Sequence, residues 1–199
     1  MSEQIPIVPA PTSETPAASG LSHPNILRDI IETMVLVAIA FLAVNALIGR
    51  FRIEQVSMLP NLHEGEYVIV DKVSYAFRQP QRGEIVVLKN PTPGQPDLIK
   101  RIIGLPGESI AVHNGSVYIN GQPLTEPYIA QPMAADSAAT QLQAGQYFVM
   151  GDNRNNSEDS RRFGPRPVED IVGRAWIIYW PPIDWQVLAS PTYAAPAAP

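Results

Sequence analysis

Cysteine is absent from all 199 residues, which excludes a disulfide framework, a thiolate zinc site and a cysteine nucleophile. That absence suits an oxidising compartment. Lysine is almost as scarce, with only Lys72, Lys89 and Lys100. Charged residues make up 17% of the chain and hydrophobic ones 45%, where soluble domains carry about a quarter charged; a membrane segment would produce this imbalance. Fourteen Lys and Arg against nineteen Asp and Glu give a net charge of −5. No basic stretch stands out, so nucleic acid is not an expected partner. The three histidines make poor candidates for a catalytic base. His23 precedes the apolar run, His63 sits in a turn-like NLHEG and His113 enters a hairpin, places that suit solvated or capping roles. With no HExxH and no carboxylates at metal-ligand spacing, a metal site is not expected.

The N-terminal two dozen residues carry Pro6, Pro9, Pro11, Pro16 and Pro24 among Ser, Thr and Ala. They have too few large apolar side chains to offset the entropy of ordering, so residues 1–26 are expected as a disordered tail. Met34 to Ile48 (MVLVAIAFLAVNALI) is interrupted only by Asn45, and Ile30 and Ile31 extend the run backwards past Glu32. Nineteen helical residues reach roughly 28 Å, about one hydrocarbon core, so residues 27–49 are expected as a transmembrane anchor. A cleavable leader needs a short basic region and a small-x-small site after the run, whereas Ala38-Ile39-Ala40 lies inside it. A core helix seldom stays apolar on every face for this length. Arg50 and Arg52 follow the run, while Arg28 precedes it amid Asp29 and Glu32. Taken alone, that balance would leave the C-terminal part in the cytoplasm.

From residue 50 to 188 the pattern predicts a mainly β domain. EYVIVDKV, GEIVVLKN, DLIKRIIG, SIAVHNGSVYING, QYFVMGD and GRAWIIYWP are short Val-, Ile- and Tyr-rich runs separated by Gly, Pro and Asn. Asn114-Gly115 is the best local hairpin signal. Gln131 to Gln143 reads as a loop, and 189–199 as a flexible tail.

In Leu98-Ile99-Lys100-Arg101-Ile102-Ile103, period-two alternation sends neighbouring side chains to opposite faces. With Arg101 at the solvent, Lys100 points inward. Burial and a neighbouring like charge both weaken a lysine's hold on its proton, which makes a general base near neutral pH possible. From this run alone, a snorkelling lysine on an edge strand is the simpler reading.

Four elements in order alter that balance: Ser57-Met58-Leu59-Pro60-Asn61-Leu62, Arg82-Gly83-Glu84-Ile85-Val86-Val87, Lys100 to Glu108 (KRIIGLPGE) and Gly151 to Arg161 (GDNRNNSEDSR). The first two are weak by themselves, the last is long and seldom matched by chance, and all follow a single apolar run. The chain resembles the bacterial type I signal peptidases, membrane-anchored Ser/Lys proteases that remove signal peptides from exported preproteins, over roughly residues 27 to 182. The resemblance implies a signal-peptidase and repressor-autoprotease-like β-fold preceded by one transmembrane helix. A small β-ribbon subdomain is implied at about 107–146. It assigns Ser57 as nucleophile, Lys100 as general base, Ser157 as a serine hydrogen-bonded to that lysine, and Asp159 with Arg161 as a supporting charged pair. Asp152, Asn153 and Arg154 form the turn before them, and Ile53, Met58, Leu62 and Leu98 fall where the family lines shallow apolar pockets for small residues of an Ala-x-Ala site. No cofactor or metal is implied; the partners are preprotein signal peptides and membrane lipid.

One position departs from the commonest pattern. Many relatives carry a serine two residues before the nucleophile that helps bind the oxyanion, and here Gln55 stands there. Alternation along IEQVS would put it on the face of Ser57, so its amide is the oxyanion candidate. The implied placement is a single-pass type II protein of the plasma membrane with the catalytic domain outside, against the charge balance at Arg50 and Arg52. Two other readings share part of the pattern: a soluble Ser/Lys autoprotease relative, and an inactive membrane-tethered β-domain that binds export partners.

Overall fold

The computed structural model describes residues 25–193, and these divide into two compact units between Ala40 and Phe41. The tail expected at 1–26 lies outside the described residues except for its last two. The expected helix forms as α1, Ile26–Leu47. Arg28 and Glu32 pair across one turn at 2.8 Å, and Thr33 donates to Asp29 O. Met34, Leu36, Val37, Ile39, Phe41 and Leu42 are all more than half exposed. No helix among the described residues is long and apolar enough to cross a membrane; in α1, charged residues take up the first two turns and Asn45 lies near the end.

The β-structure falls in two antiparallel sheets. The larger takes β1 (Ile48–Arg52), β2 (Tyr67–Asp71), β11 (Ile171–Trp180), β3 (Ile85–Leu88), β4 (Leu98–Gly104), β9 (Gln146–Met150) and β10 (Arg166–Pro167) in that spatial order, with β12 (Gln186–Val187) paired to β11. The smaller runs β7 (Gln122–Pro123), β6 (Ser116–Ile119), β5 (Ser109–His113), β8 (Ser137–Gln141). Asn114 and Gly115 both have positive φ, 48° and 76°, as the predicted two-residue hairpin between β5 and β6 requires. The small sheet closes on Ile110, Val112, Val117, Ile119, Met133 and Leu142.

Strand β4 is buried at every position, which explains its nearly unbroken apolar run. Ile99 packs on one side with Ile53, Met58, Leu62 and Val87. Leu98 and Ile102 pack on the other with Val86, Leu88 and Tyr147. Backbone pairing of Lys100 with Val86 and of Arg101 with Ile85 and Met150 fixes these two charged residues in the middle of the sheet.

Two expectations are corrected. The stretch Gln131–Gln143 is not all loop, because Ser137–Gln141 forms β8 on the free edge of β5. Its Ser, Ala and Thr have little strand signal of their own; β5 supplies the hydrogen-bond partners, and buried Met133 and Leu142 hold the flanks. Nor does the chain fray directly after Leu188. Tyr193 donates to Tyr128 Oη at 3.0 Å, and its ring lies over Gly83, where a Cβ would come within 2.7 Å. Residues 194–199 lie outside the described part.

Candidate active site

Beyond β1 the chain stays anchored by Ile53, whose N–H donates to Glu66 O at 2.9 Å and whose carbonyl accepts from Gly65 at 2.8 Å. Glu54 and Gln55 then lead into a single 3₁₀ turn, Val56–Met58. Met58 and Leu62 are fully buried on either side of the Leu59-Pro60 bend. Their burial pins Ser57 over β4 with only 4% of its surface exposed. Lys100, wholly buried, reaches it from below: Nζ lies 2.7 Å from Ser57 Oγ and 3.0 Å from Ile99 O. These two residues are 43 apart in sequence, and strand β4 and the turn bring them together.

Burial disfavours the ammonium and lowers the Lys100 pKa from 10.5 to about 8, while the negative charges of Asp159, Glu158 and Asp152 hold part of it back. The expected contribution from Arg101 is not there, and neither is its exposure. Arg101 is buried, donates through Nε and Nη2 to the two oxygens of Asp152 at 2.8 and 2.6 Å, and lies 4.1 Å from the ring centroid of Tyr128. Its charge is neutralised on the side of the strand away from Lys100. Asn61, in the turn after Ser57, donates to Asp152 Oδ2 at 2.8 Å, so the same carboxylate ties the loop carrying Ser57 to β4.

The Gly151–Arg161 segment contributes the rest. Asp159 is fully buried, accepts from Gly151 N–H at 3.1 Å and takes both Nε and Nη2 of Arg161, at 2.8 and 2.7 Å. The expected charged pair is therefore formed. Ser157 Oγ is buried beside Gly151 but takes no hydrogen-bond partner among the described residues, and the bond to Lys100 expected for it is not made. Gly151 has no room for a side chain: a Cβ would sit 2.4 Å from Ser57 O and 2.3 Å from Ser157 Oγ. Arg154 turns away to a buried pair with Glu126, with Nη1 to Oε2 at 2.7 Å.

The four expected pocket residues divide. Ile53, Met58 and Leu62 share a cluster with Ile99, whereas Leu98 belongs to the cluster on the other face of β4. Alternation already separates Leu98 from Ile99, so Ile99 is the β4 residue on the side of the other three. A cleft of about 220 Å³ lies alongside, lined by Phe51, Arg52, Gln55, Pro96, Asp97 and Ile99 among others. Sequence reasoning missed most of these, although they lie in the few residues that precede Ser57 and Lys100 along the chain. Gln55 is exposed at the rim, since the 3₁₀ turn begins immediately after it and breaks the alternation that was to align it with Ser57. His63 bonds Glu66 and His113 faces Asp136, and His23 lies outside the described residues.

A hydroxyl held 2.7 Å from a dry amine that is half neutral near pH 8 can lose its proton to that amine and attack a carbonyl. Residues 27–180 match the family model described as signal peptidase, peptidase S26. The probable signal peptidase I-1 of Synechocystis sp. is 44% identical, with 69% of this chain and 74% of that protein covered. A signal peptidase I of Leptolyngbya laminosa is 40% identical over 86% of this chain and 91% of its own. That of Bacillus amyloliquefaciens is 35% identical over 74% and 82%. Buried dyad, motif order and match over most of the chain agree, and the chain belongs to the signal peptidases of peptidase family S26.

Proposed function

We propose that the chain is a signal peptidase I, a serine endopeptidase that cuts signal peptides from exported preproteins, with Ser57 as nucleophile and Lys100 as general base. The observation that carries this reading is the 2.7 Å contact between Ser57 Oγ and a fully buried Lys100 Nζ. An unperturbed lysine is neutral in only about one molecule per thousand at pH 7 to 8. Desolvation raises that fraction to about half at pH 8.

Neutral Lys100 accepts the Ser57 proton as Oγ bonds to the scissile carbonyl carbon, and the carbonyl π electrons move to oxygen. The Ser57 N–H is the oxyanion donor. Collapse breaks the C–N bond, and the Lys100 proton passes to the leaving amine. The acyl-enzyme is then hydrolysed by water that gives its proton to Lys100, and Lys100 passes that proton to Ser57 Oγ as the acyl–oxygen bond breaks, which restores both residues. Asp159, paired to Arg161 and to the Gly151 N–H, holds the loop carrying Ser157 against the dyad. An extended substrate occupies the cleft between Phe51–Gln55 and Pro96–Ile99. Phe51 and Ile99 give that cleft apolar walls, backed by the fully buried Ile53, Met58 and Leu62, which suits small residues at the cleavage site.

Helix α1 with its flanking residues is the membrane anchor. Its exposed apolar side chains support this, as water alone gives them nothing to pack on. Trp180, Ile183 and Trp185, also exposed, fit the headgroup layer. The catalytic unit stands on the outer face, where cleavage sites emerge. The deciding experiment is cleavage of a purified preprotein in detergent by wild type, Ser57→Ala and Lys100→Ala. Both variants are expected to lose activity by at least about 10³-fold, and normal cleavage by either removes the dyad.

A further inference from the structure

Asn153 makes two contacts that the dyad alone does not explain. Its backbone N–H donates to Ser57 O at 3.0 Å, and its side-chain Nδ2 donates to Val56 O at 3.1 Å. These are the carbonyls of the peptide groups on either side of the nucleophile. The Val56 carbonyl belongs to the peptide whose N–H is that of Ser57. Because a trans peptide is planar, fixing its carbonyl fixes the direction in which the N–H points on the opposite side.

That N–H lies in the first turn of a three-residue 3₁₀ helix, where donors have no partner within the helix, and no backbone acceptor among the described residues takes it. Among the described residues, the only other hold on Val56 O is Leu59 N–H at 3.2 Å, a 3₁₀ bond of poorer geometry. Gly151 presses against Ser57 O from the same segment. A donor that must meet an oxyanion is effective only when its direction is set before the charge develops.

We propose that Asn153 is a positioning residue of the oxyanion hole: through its side-chain bond to Val56 O it holds the Val56–Ser57 peptide plane so that the Ser57 N–H is aimed at the developing negative oxygen. The inference rests on the reading of Ser57 as nucleophile and deepens it. It gives the Asn of GDNR a task separate from the Asp, which is spent on Arg101 and Asn61, and from the Arg, which is spent on Glu126. Lys100 is untouched by Asn153, so a loss here leaves proton transfer as it was.

The test is steady-state cleavage of a preprotein by wild type, Asn153→Ala, Asn153→Asp and Ser57→Ala, with the binding of two substrate-derived inhibitors. One is a peptide aldehyde, whose adduct with Ser57 carries an oxyanion. The other has its scissile carbonyl reduced to methylene. Asp matches Asn in size but its ionised side chain cannot donate, so it separates the hydrogen bond from packing.

Both Asn153 variants are expected to lose about 10- to 100-fold in kcat, less than the 10² to 10³ of losing a donor outright. KM should stay within about threefold; in Asn153→Ala the midpoint of the pH profile should not move, whereas the new carboxylate of Asn153→Asp should raise it, as the charges of Asp159, Glu158 and Asp152 already do. Aldehyde binding should weaken in proportion to kcat while the reduced peptide binds as before. The proposal is overturned if Asn153→Asp keeps kcat within about threefold of wild type, if the loss falls on KM, or if both inhibitors weaken equally. Should Asn153→Ala fail to fold, the isosteric Asp variant decides alone. Activity retained by Ser57→Ala refutes the nucleophile itself, whereas an inactive Ser57→Ala beside normal Asn153 variants refutes only the positioning role.

Discussion

With Lys100 as the proposed base, catalysis and stability oppose each other at that residue. Its folded pKa of about 8 lies below the ordinary 10.5, so between those values the unfolded chain binds more protons than the folded one. Stability therefore rises with pH from 8 to 10.5, and below that window burial of the ammonium costs about 3 kcal/mol. Two results follow for one variant. Lys100→Met should abolish cleavage, yet melt at a higher temperature than wild type at pH 7, and its stability should lack the rise between pH 8 and 10.5. In wild type, kcat/KM should climb with pH through a midpoint near 8; a midpoint near 10.5 would place the proton on another group. Alternation in LIKRIIG correctly sent Lys100 inward, but its premise that Arg101 faces solvent did not hold. The partner that makes Arg101 tolerable inside is Asp152, 51 residues away, and no local pattern encodes a pairing at that distance. Gln55 teaches the same lesson at closer range. Period two was the wrong rule once the chain turned at Val56, and among the described residues the exposed amide has no partner to hold it over the oxyanion. Gln55→Ala is accordingly expected to change kcat by less than about threefold; a loss of about 10² would make its side chain a donor after all.

At the level of elements, the site is a junction of three: the Ser57–Leu62 turn, β4 and the Gly151–Arg161 segment. Asp152 holds all three, accepting two bonds from Arg101 and one from Asn61 with almost no exposure to water. Removing one member of such a pair strands the other's charge in a dry interior, which costs about 3 to 5 kcal/mol. Asp152→Ala should lose that much in urea denaturation, and Arg101→Met combined with Asp152→Leu should recover a good part of it. If the single variant loses under about 1 kcal/mol, Tyr128 and solvent are shielding Arg101 and the pair is not what joins the elements. Strands carrying their own signal were legible: IVVL and YVIVD by composition, and the β5–β6 hairpin by Asn114-Gly115. A second Asn-Gly, Asn120-Gly121, also has positive φ at both residues and turns the chain from β6 into β7, a repeat of the same signal. Strand β8 was not legible, because Ser-Ala-Ala-Thr-Gln becomes a strand through its neighbour's unpaired edge rather than through its own side chains.

For the molecule as a whole, the proposed anchor raises the question of which side of a membrane the β unit would occupy. Arg50 and Arg52 after the apolar run argue for the cytoplasm, and the chemistry argues for the opposite face, because signal-peptide cleavage sites reach the protease only after export. The weight given to each can be reasoned. Positive-inside bias acts through short flanking loops, and long domains translocate largely regardless of it. The β unit after residue 50 is such a domain, and Arg28, with Asp29 and Glu32 beside it, adds little on the other side. The absence of cysteine makes the test unambiguous, since a single introduced thiol is the only one present. Ser116→Cys places it on exposed β6, and Ser13→Cys places it before α1. In intact cells a membrane-impermeant maleimide should label the Cys introduced at position 116 and reach the one at position 13 only after the membrane is opened. The opposite pattern would put the dyad in the cytoplasm, on the wrong side for its substrates. Labelling of both in intact cells would show that α1 does not span the membrane, and the tether would then have to be sought on the exposed Trp180–Trp185 surface.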